Sequence, residues 1–131
     1  MAYLKPPWFT VKVFNKIAMA TGISGTETLT LTARDSGGQQ QIPVISVDVD
    51  GIRYLVSTRG ESQWVKNVRS NPVVTLADRT VAARFTASEV PLVDRPRLLQ
   101  AYRAKAGKTV DGYFAKLPDP ADHPVFRLTP I

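Results

Sequence analysis

Apolar and polar positions alternate with a period of two through much of the chain, and this pattern gives way twice to a helical spacing. From Glu27 to Ala33, threonines alternate with Leu29, Leu31 and Ala33, placing the apolar side chains on one face of a strand. Asp35-Ser36-Gly37-Gly38 is a turn, built from residues that tolerate unusual backbone angles. A second strand runs from Gln41 to Val49, where Ile45, Val47 and Val49 alternate with Ser46 and Asp48. Asp50-Gly51 is a strong hairpin signal, and Arg53 to Ser57 follows as a third strand. These three strands are expected to form a meander.

The period changes at Glu61. Trp64, Val65 and Val68 share a face at spacings of three and four, so Glu61–Arg69 reads as a helix that Asn71-Pro72 stops. Thr58 or Ser62 is its expected cap, with Glu61 in the first turn, and Lys66 and Asn67 lie off the apolar stripe. Val73 to Leu76 and Val81 to Val90 form a strand pair around Asp78-Arg79. Asp94 is the expected N-cap of a helix through Ala106 that Gly107 closes, and a helical turn covers Val110 to Lys116. Pro118, Pro120 and Pro124 hold an extended loop before a last strand, Val125 to Leu128. At the other end, Pro6-Pro7 and the spacing of Trp8, Phe9, Val11, Phe14, Ile17 and Ala18 predict an amphipathic helix ending at Gly22.

About six mostly antiparallel strands with alternating faces and flanking helices suit a small barrel, an α+β, mainly β fold. With 131 residues, no internal repeat and no linker, residues 1–131 read as one domain. There is no cysteine, which excludes disulfides, zinc-thiolate sites, iron–sulfur clusters and thiol catalysis. The one histidine, His123, reads as a loop residue between Asp122 and Pro124 and rules out a multi-histidine metal site. No G-x-G-x-x-G, P-loop or G-x-S-x-G motif occurs. The net charge of +6 suits anionic ligands, but the basic residues are not interleaved with aromatics on one strand face, so nucleic acid is not expected as a partner. No apolar run spans a bilayer, and no compact apolar segment marks a signal peptide. A cytoplasmic location is expected, with peripheral membrane contact through the N-terminal helix as an option.

Three segments carry more polar chemistry than a turn requires. Arg34-Asp35-Ser36-Gly37-Gly38-Gln39-Gln40 combines exposed backbone N–H groups with a fixed cationic fork, which suits an oxyanion or a simple β-turn. Val56-Ser57-Thr58-Arg59-Gly60-Glu61-Ser62 brings hydroxyls and a glycine to a helix N-terminus, which serves either an anion or the helix cap. In Gln63-Trp64-Val65-Lys66-Asn67-Val68-Arg69, Trp64 and Val68 read as core, while Lys66 and Asn67 are free to meet a ligand or solvent.

Taken in order, Leu29 to Gly37, the strand with Pro43, Gly51 to Ser57, and Gly60-Glu61-Ser62-Gln63-Trp64-Val65-Lys66-Asn67-Val68-Arg69 resemble the deazaflavin-dependent nitroreductase family of actinobacteria. The likeness is best over residues 26–90, and the W-V-x-N-x-R piece is its most specific element. It implies a split β-barrel related to flavin-dependent pyridoxamine-phosphate oxidases and the coenzyme F420. The implied reaction is hydride transfer from reduced deazaflavin to a small-molecule electron acceptor: a quinone, an activated alkene or a nitroaromatic. A homodimer is a further implication.

Carried over residue by residue, Arg34, Asp35 and Ser36 match the loop that holds the cofactor phosphate and acidic tail. Gln40, Gln41, Ile42, Pro43, Val44 and Ile45 match the strand along the cofactor. Val56, Ser57, Thr58 and Arg59 match the strand-to-helix cradle, with a basic residue at Arg59 on the anion. Gln63, Trp64, Val65, Lys66 and Asn67 match the helix start over the same groove, and Tyr113 matches the aromatic that closes the substrate side. Two positions depart from the family: Asp35 stands where a lysine is usual, and Gln40 where a second arginine is usual. About three units of positive charge are thereby lost, each worth roughly 0.3–1 kcal/mol at an exposed site. Lys66, Arg69 and Arg53 are the candidates to compensate. The alternatives are a non-catalytic barrel holding a lipid-like or haem-like ligand, which the missing charges favour, and an FMN-dependent oxidoreductase.

Overall fold

The computed structural model describes residues 26–78 and 80–131. The amphipathic helix expected before Gly22, and the membrane contact expected of it, lie outside these residues. The chain forms β1 (Glu27–Thr32), β2 (Gln39–Val44), β3 (Val47–Val49) and β4 (Ile52–Val56), then helix α1 (Gln63–Ser70). Next come β5 (Val73–Ala77), β6 (Ala82–Glu89), α2 (Arg95–Ala106), α3 (Asp111–Lys116) and β7 (Val125–Pro130). Short 3-10 turns precede α2, join it to α3, and precede β7.

The strands form one sheet in the order β2-β1-β5-β6-β7-β4-β3, antiparallel at every pairing. Its two edge strands, β2 and β3, are consecutive in sequence and separated only by Ile45 and Ser46. Consecutive Cα atoms are ~3.8 Å apart, so this link spans at most ~11 Å and draws the two edges together into a barrel. The strand expected to run unbroken from Gln41 to Val49 is therefore two, one serving each edge. Within the expected meander, β1 pairs with the first half and β4 with the second.

Polar contacts fix the bend. Ser46 is buried; its hydroxyl bonds the Glu27 carboxylate, and its carbonyl accepts from Lys105 Nζ at 2.5 Å. Arg53 joins β4 to both sides of the seam, 3.1 Å from Asp48 and 3.6 Å from Glu27. At the β3–β4 hairpin, Asp50 and Gly51 both take positive φ, 53° and 78°, as the tight primed turn demands.

The alternation of the strands sorts side chains into two cores. Leu29, Leu31, Leu55, Val74, Leu76, Phe126 and Leu128 fill the barrel, and Val65 and Val68 of α1 pack onto them. Tyr54 and Val56, on the other face of β4, pack with Leu98, Leu99 and Tyr102 of α2 and with Phe114 of α3. Helix α1 starts two residues later than the periodicity predicts. Glu61 stands before the helix and pairs with Arg69 instead of lining its first turn. Helix α2 keeps its expected end at Gly107, where φ is +69°, but Asp94 closes a 3-10 turn and its side chain makes no capping bond.

Candidate active site

The loop after β1 is held from below by the buried amide of Asn67. Its Oδ1 accepts from the Arg34 backbone N–H at 3.0 Å and from the Arg34 guanidinium at 2.8 Å, while its Nδ2 donates to Gln40 Oε1 at 2.8 Å. Gln63, one turn earlier on α1, accepts from the other guanidinium nitrogen at 2.8 Å. Arg34, Gln40, Gln63 and Asn67 thus form one network, which fixes the guanidinium at the N-terminal half of α1. Asn67 was expected to face ligand or solvent. It is buried instead because its amide satisfies the loop's backbone as well as its side chain. Asp35 is exposed, 4.0 Å from the same guanidinium, and the exposed Ser36 hydroxyl accepts from Gly38 N–H at 3.1 Å.

The second group of residues surrounds the turn from β4 into α1. The buried Ser57 hydroxyl donates to the Gly60 carbonyl at 2.6 Å, tightening a turn in which Gly60 adopts φ +82°. Thr58 and Arg59 are left at the rim, half-buried. Arg59 donates to the Tyr113 phenolic oxygen at 3.0 Å, and its guanidinium lies 5.3 Å from the centre of that ring. The fold therefore brings together Arg59 and Tyr113, which are 54 positions apart. Ser62 precedes the first residue of α1, and its buried hydroxyl has no hydrogen-bond partner.

Other expected site residues contribute less side chain. On β2, Gln41 is exposed, Pro43 is half-buried, and Ile42 and Val44 lean on the barrel core; Ile45 packs against the second core. Val56 and Val65 are core residues. Trp64 is half-buried, its ring 5.7 Å from that of Phe126. Of the cations expected to compensate, Lys66 is exposed on α1, whereas Arg53 and Arg69 are engaged in ion pairs. Arg69 bridges Glu61 and Glu89, a fate the one-dimensional charge pattern does not disclose.

Sequence reasoning took Ser62 only as a helix cap, yet it stands at that position without a side-chain capping bond, and took His123 only as a loop residue. His123 does lie in the loop before β7, but it is wholly buried there, and both of its ring nitrogens face backbone carbonyls. Its neighbours Asp122 and Pro124 signal a loop, and nothing local in the sequence signals that the loop turns inward. Among the described residues no cluster of metal-ligating side chains occurs, and no helix is long and apolar enough to cross a membrane.

A family model of F420H(2)-dependent quinone reductases matches residues 11–116. The chain belongs to this family. Its cofactor is accordingly F420H2, and the protein is an oxidoreductase, in line with the resemblance of the Arg34, Pro43 and W-V-x-N-x-R segments. No curated protein matches the chain. Among solved structures, it is similar to an F420-H2 dependent reductase at 23% identity and a TM-score of 0.62, over 81% of this chain and 95% of that one. It is also similar to a chain described as a domain-swapped dimer, at 21% identity and a TM-score of 0.63, over 92% of this chain and 94% of the other. A third likeness, to a pyridoxamine 5′-phosphate oxidase by assignment from Listeria innocua, has 16% identity and a TM-score of 0.59 over 90% and 93% of the two chains. The fold of this family member is thus the split barrel of pyridoxamine-phosphate-oxidase type.

Proposed function

We propose that this quinone-reductase family member reduces electron-poor acceptors whose oxygen gains charge as a hydride arrives: quinones, alkenes conjugated to a carbonyl, and nitroaromatics. The hydrogen bond from Arg59 to Tyr113 carries this reading. A guanidinium has only donors, so the phenolic oxygen accepts from it and the phenol's own hydrogen is directed elsewhere. That hydrogen is available to an acceptor oxygen, and the guanidinium behind the phenol eases the transfer of negative charge onto Tyr113.

The residues fit the cofactor's anionic groups at one end of α1. The orphaned Ser62 hydroxyl stands where the first N–H groups of the helix lack intrahelical acceptors, and Arg59 is nearby in the chain. Arg34, held by Gln63 and Asn67, offers a second fixed cation, and Lys66 a mobile one. In this reading Arg34, Ser36, Thr58, Arg59, Ser62 and Lys66 meet the phosphate and acidic tail. Gln40 to Ile45 and Trp64 wall the ring, and Tyr113 faces the acceptor. When bound, reduced F420 supplies the hydride. The protein's share is to hold both partners in register, exclude water and supply the proton.

The test is a fluorescence titration of the protein with F420 and, separately, FMN. It is followed by turnover of F420H2 with a quinone, an enone and a nitroaromatic. Micromolar F420 binding with little FMN affinity, and turnover of all three acceptors, is the expected result. Turnover of quinones alone would confine the acceptor class, and binding of FMN alone would reassign the site to the flavin relatives. Assembly as a homodimer, which the domain-swapped relative supports, is checked by light scattering on the purified protein.

A further inference from the structure

We propose that His123 is the positioning residue of this site: its buried ring spans the Ser57 and Leu117 carbonyls, and so sets the separation between the Arg59 turn and the helix that carries Tyr113. This rests on the reading of Arg59 and Tyr113 given above.

His123 Nδ1 is 2.9 Å from the Ser57 carbonyl oxygen, and Nε2 is 2.5 Å from that of Leu117. Both carbonyls only accept, so the ring meets them through its nitrogens, and with no solvent access a group left without its partner here is costly. The ring also stacks on Phe114, with centroids 4.2 Å apart and planes 26° apart, which fixes its plane. On α2, the Tyr102 ring lies 6.4 Å from that of Phe114. Arg103 lies 4.7 Å from the Phe114 centroid and is paired with Asp111 at 3.7 Å.

The two carbonyls are well placed for a spacer. Ser57 immediately precedes Thr58 and Arg59, and its own N–H donates to the Pro124 carbonyl at 2.9 Å, so the cradle is pinned to the His123 loop on both sides. Leu117 follows α3, and its N–H donates to the Tyr113 carbonyl at 2.9 Å. With the Arg59–Tyr113 hydrogen bond, these contacts close a circuit: Ser57, His123, Leu117, Tyr113, Arg59 and back along the chain to Ser57. Side-chain contact at the rim is weak and exchangeable. The buried bridge fixes how far apart the two rim residues stand.

His123→Phe keeps a ring to stack on Phe114 and removes both ring nitrogens. We expect its dissociation constant for F420H2 to rise about tenfold, as for loss of a buried hydrogen bond, and the Tyr113 ring resonances to shift in the free protein. His123→Gln, which retains one donor, should fall between. A His123→Phe protein that melts earlier but keeps its affinity and its Tyr113 signals would make His123 mere packing. If the native chain bound no F420H2, the proposed function would fall, while the Tyr113 shift in His123→Phe would still decide the role of His123.

Discussion

Asn67 does three jobs with one amide: it holds the Arg34 backbone, the Arg34 guanidinium and Gln40. Asn67→Ala leaves the part-buried Arg34 N–H without its partner, and should destabilise the fold by about 1–2 kcal/mol, read from urea unfolding. The motif W-V-x-N-x-R pointed to this residue, but the helical wheel set it off the apolar stripe, and a buried polar side chain leaves no periodic mark. Arg59 and Asp35 report on the anion directly. Arg59→Ala should weaken F420 binding about tenfold or more, and unchanged affinity in the fluorescence titration would remove the cradle from the site. Asp35→Lys replaces an exposed carboxylate beside Arg34 with a cation and should tighten binding in the same assay by about two- to fivefold.

Among the elements, α1 is fastened by charge as well as by its apolar face. Arg69 reaches Glu61 at 2.5 Å and Glu89 of β6 at 2.7 Å, and Arg95 of α2 meets Glu89 at 3.2 Å. The Arg69 hydrogen bond, opposed by burial and aided by the charges of Arg69 and Arg95, holds the Glu89 carboxyl below the ordinary glutamate value of 4.5. A carboxyl whose folded value is depressed stabilises the fold above its unfolded value, and this stability is lost as pH falls through the folded one. Stability should therefore decline with acidification below pH 4.5 in the native chain and decline less steeply in Glu89→Gln, as followed by urea midpoints across pH. The sequence revealed the existence and type of these elements well, because each has a period and a stop signal. It did not reveal the break at Ile45-Ser46, since alternation runs through the bend unbroken and only pairing to two separate strands creates it.

For the whole molecule, the decisive fact is that the last strand is an inner one. β7 lies between β6 and β4, so every path round the barrel passes through Val125–Pro130. Deleting residues 125–131 should abolish cooperative unfolding in circular dichroism, where loss of a peripheral strand would merely lower the midpoint. Among the described residues six strands precede this one, yet two of them, β4 and β6, must wait with unpaired backbone for it. During synthesis the growing chain is therefore a template for stray strand addition until its closing segment is made. A chain cut just short of Val125 would keep the inner edges of β4 and β6 open to stray strands, and should aggregate where the whole barrel does not.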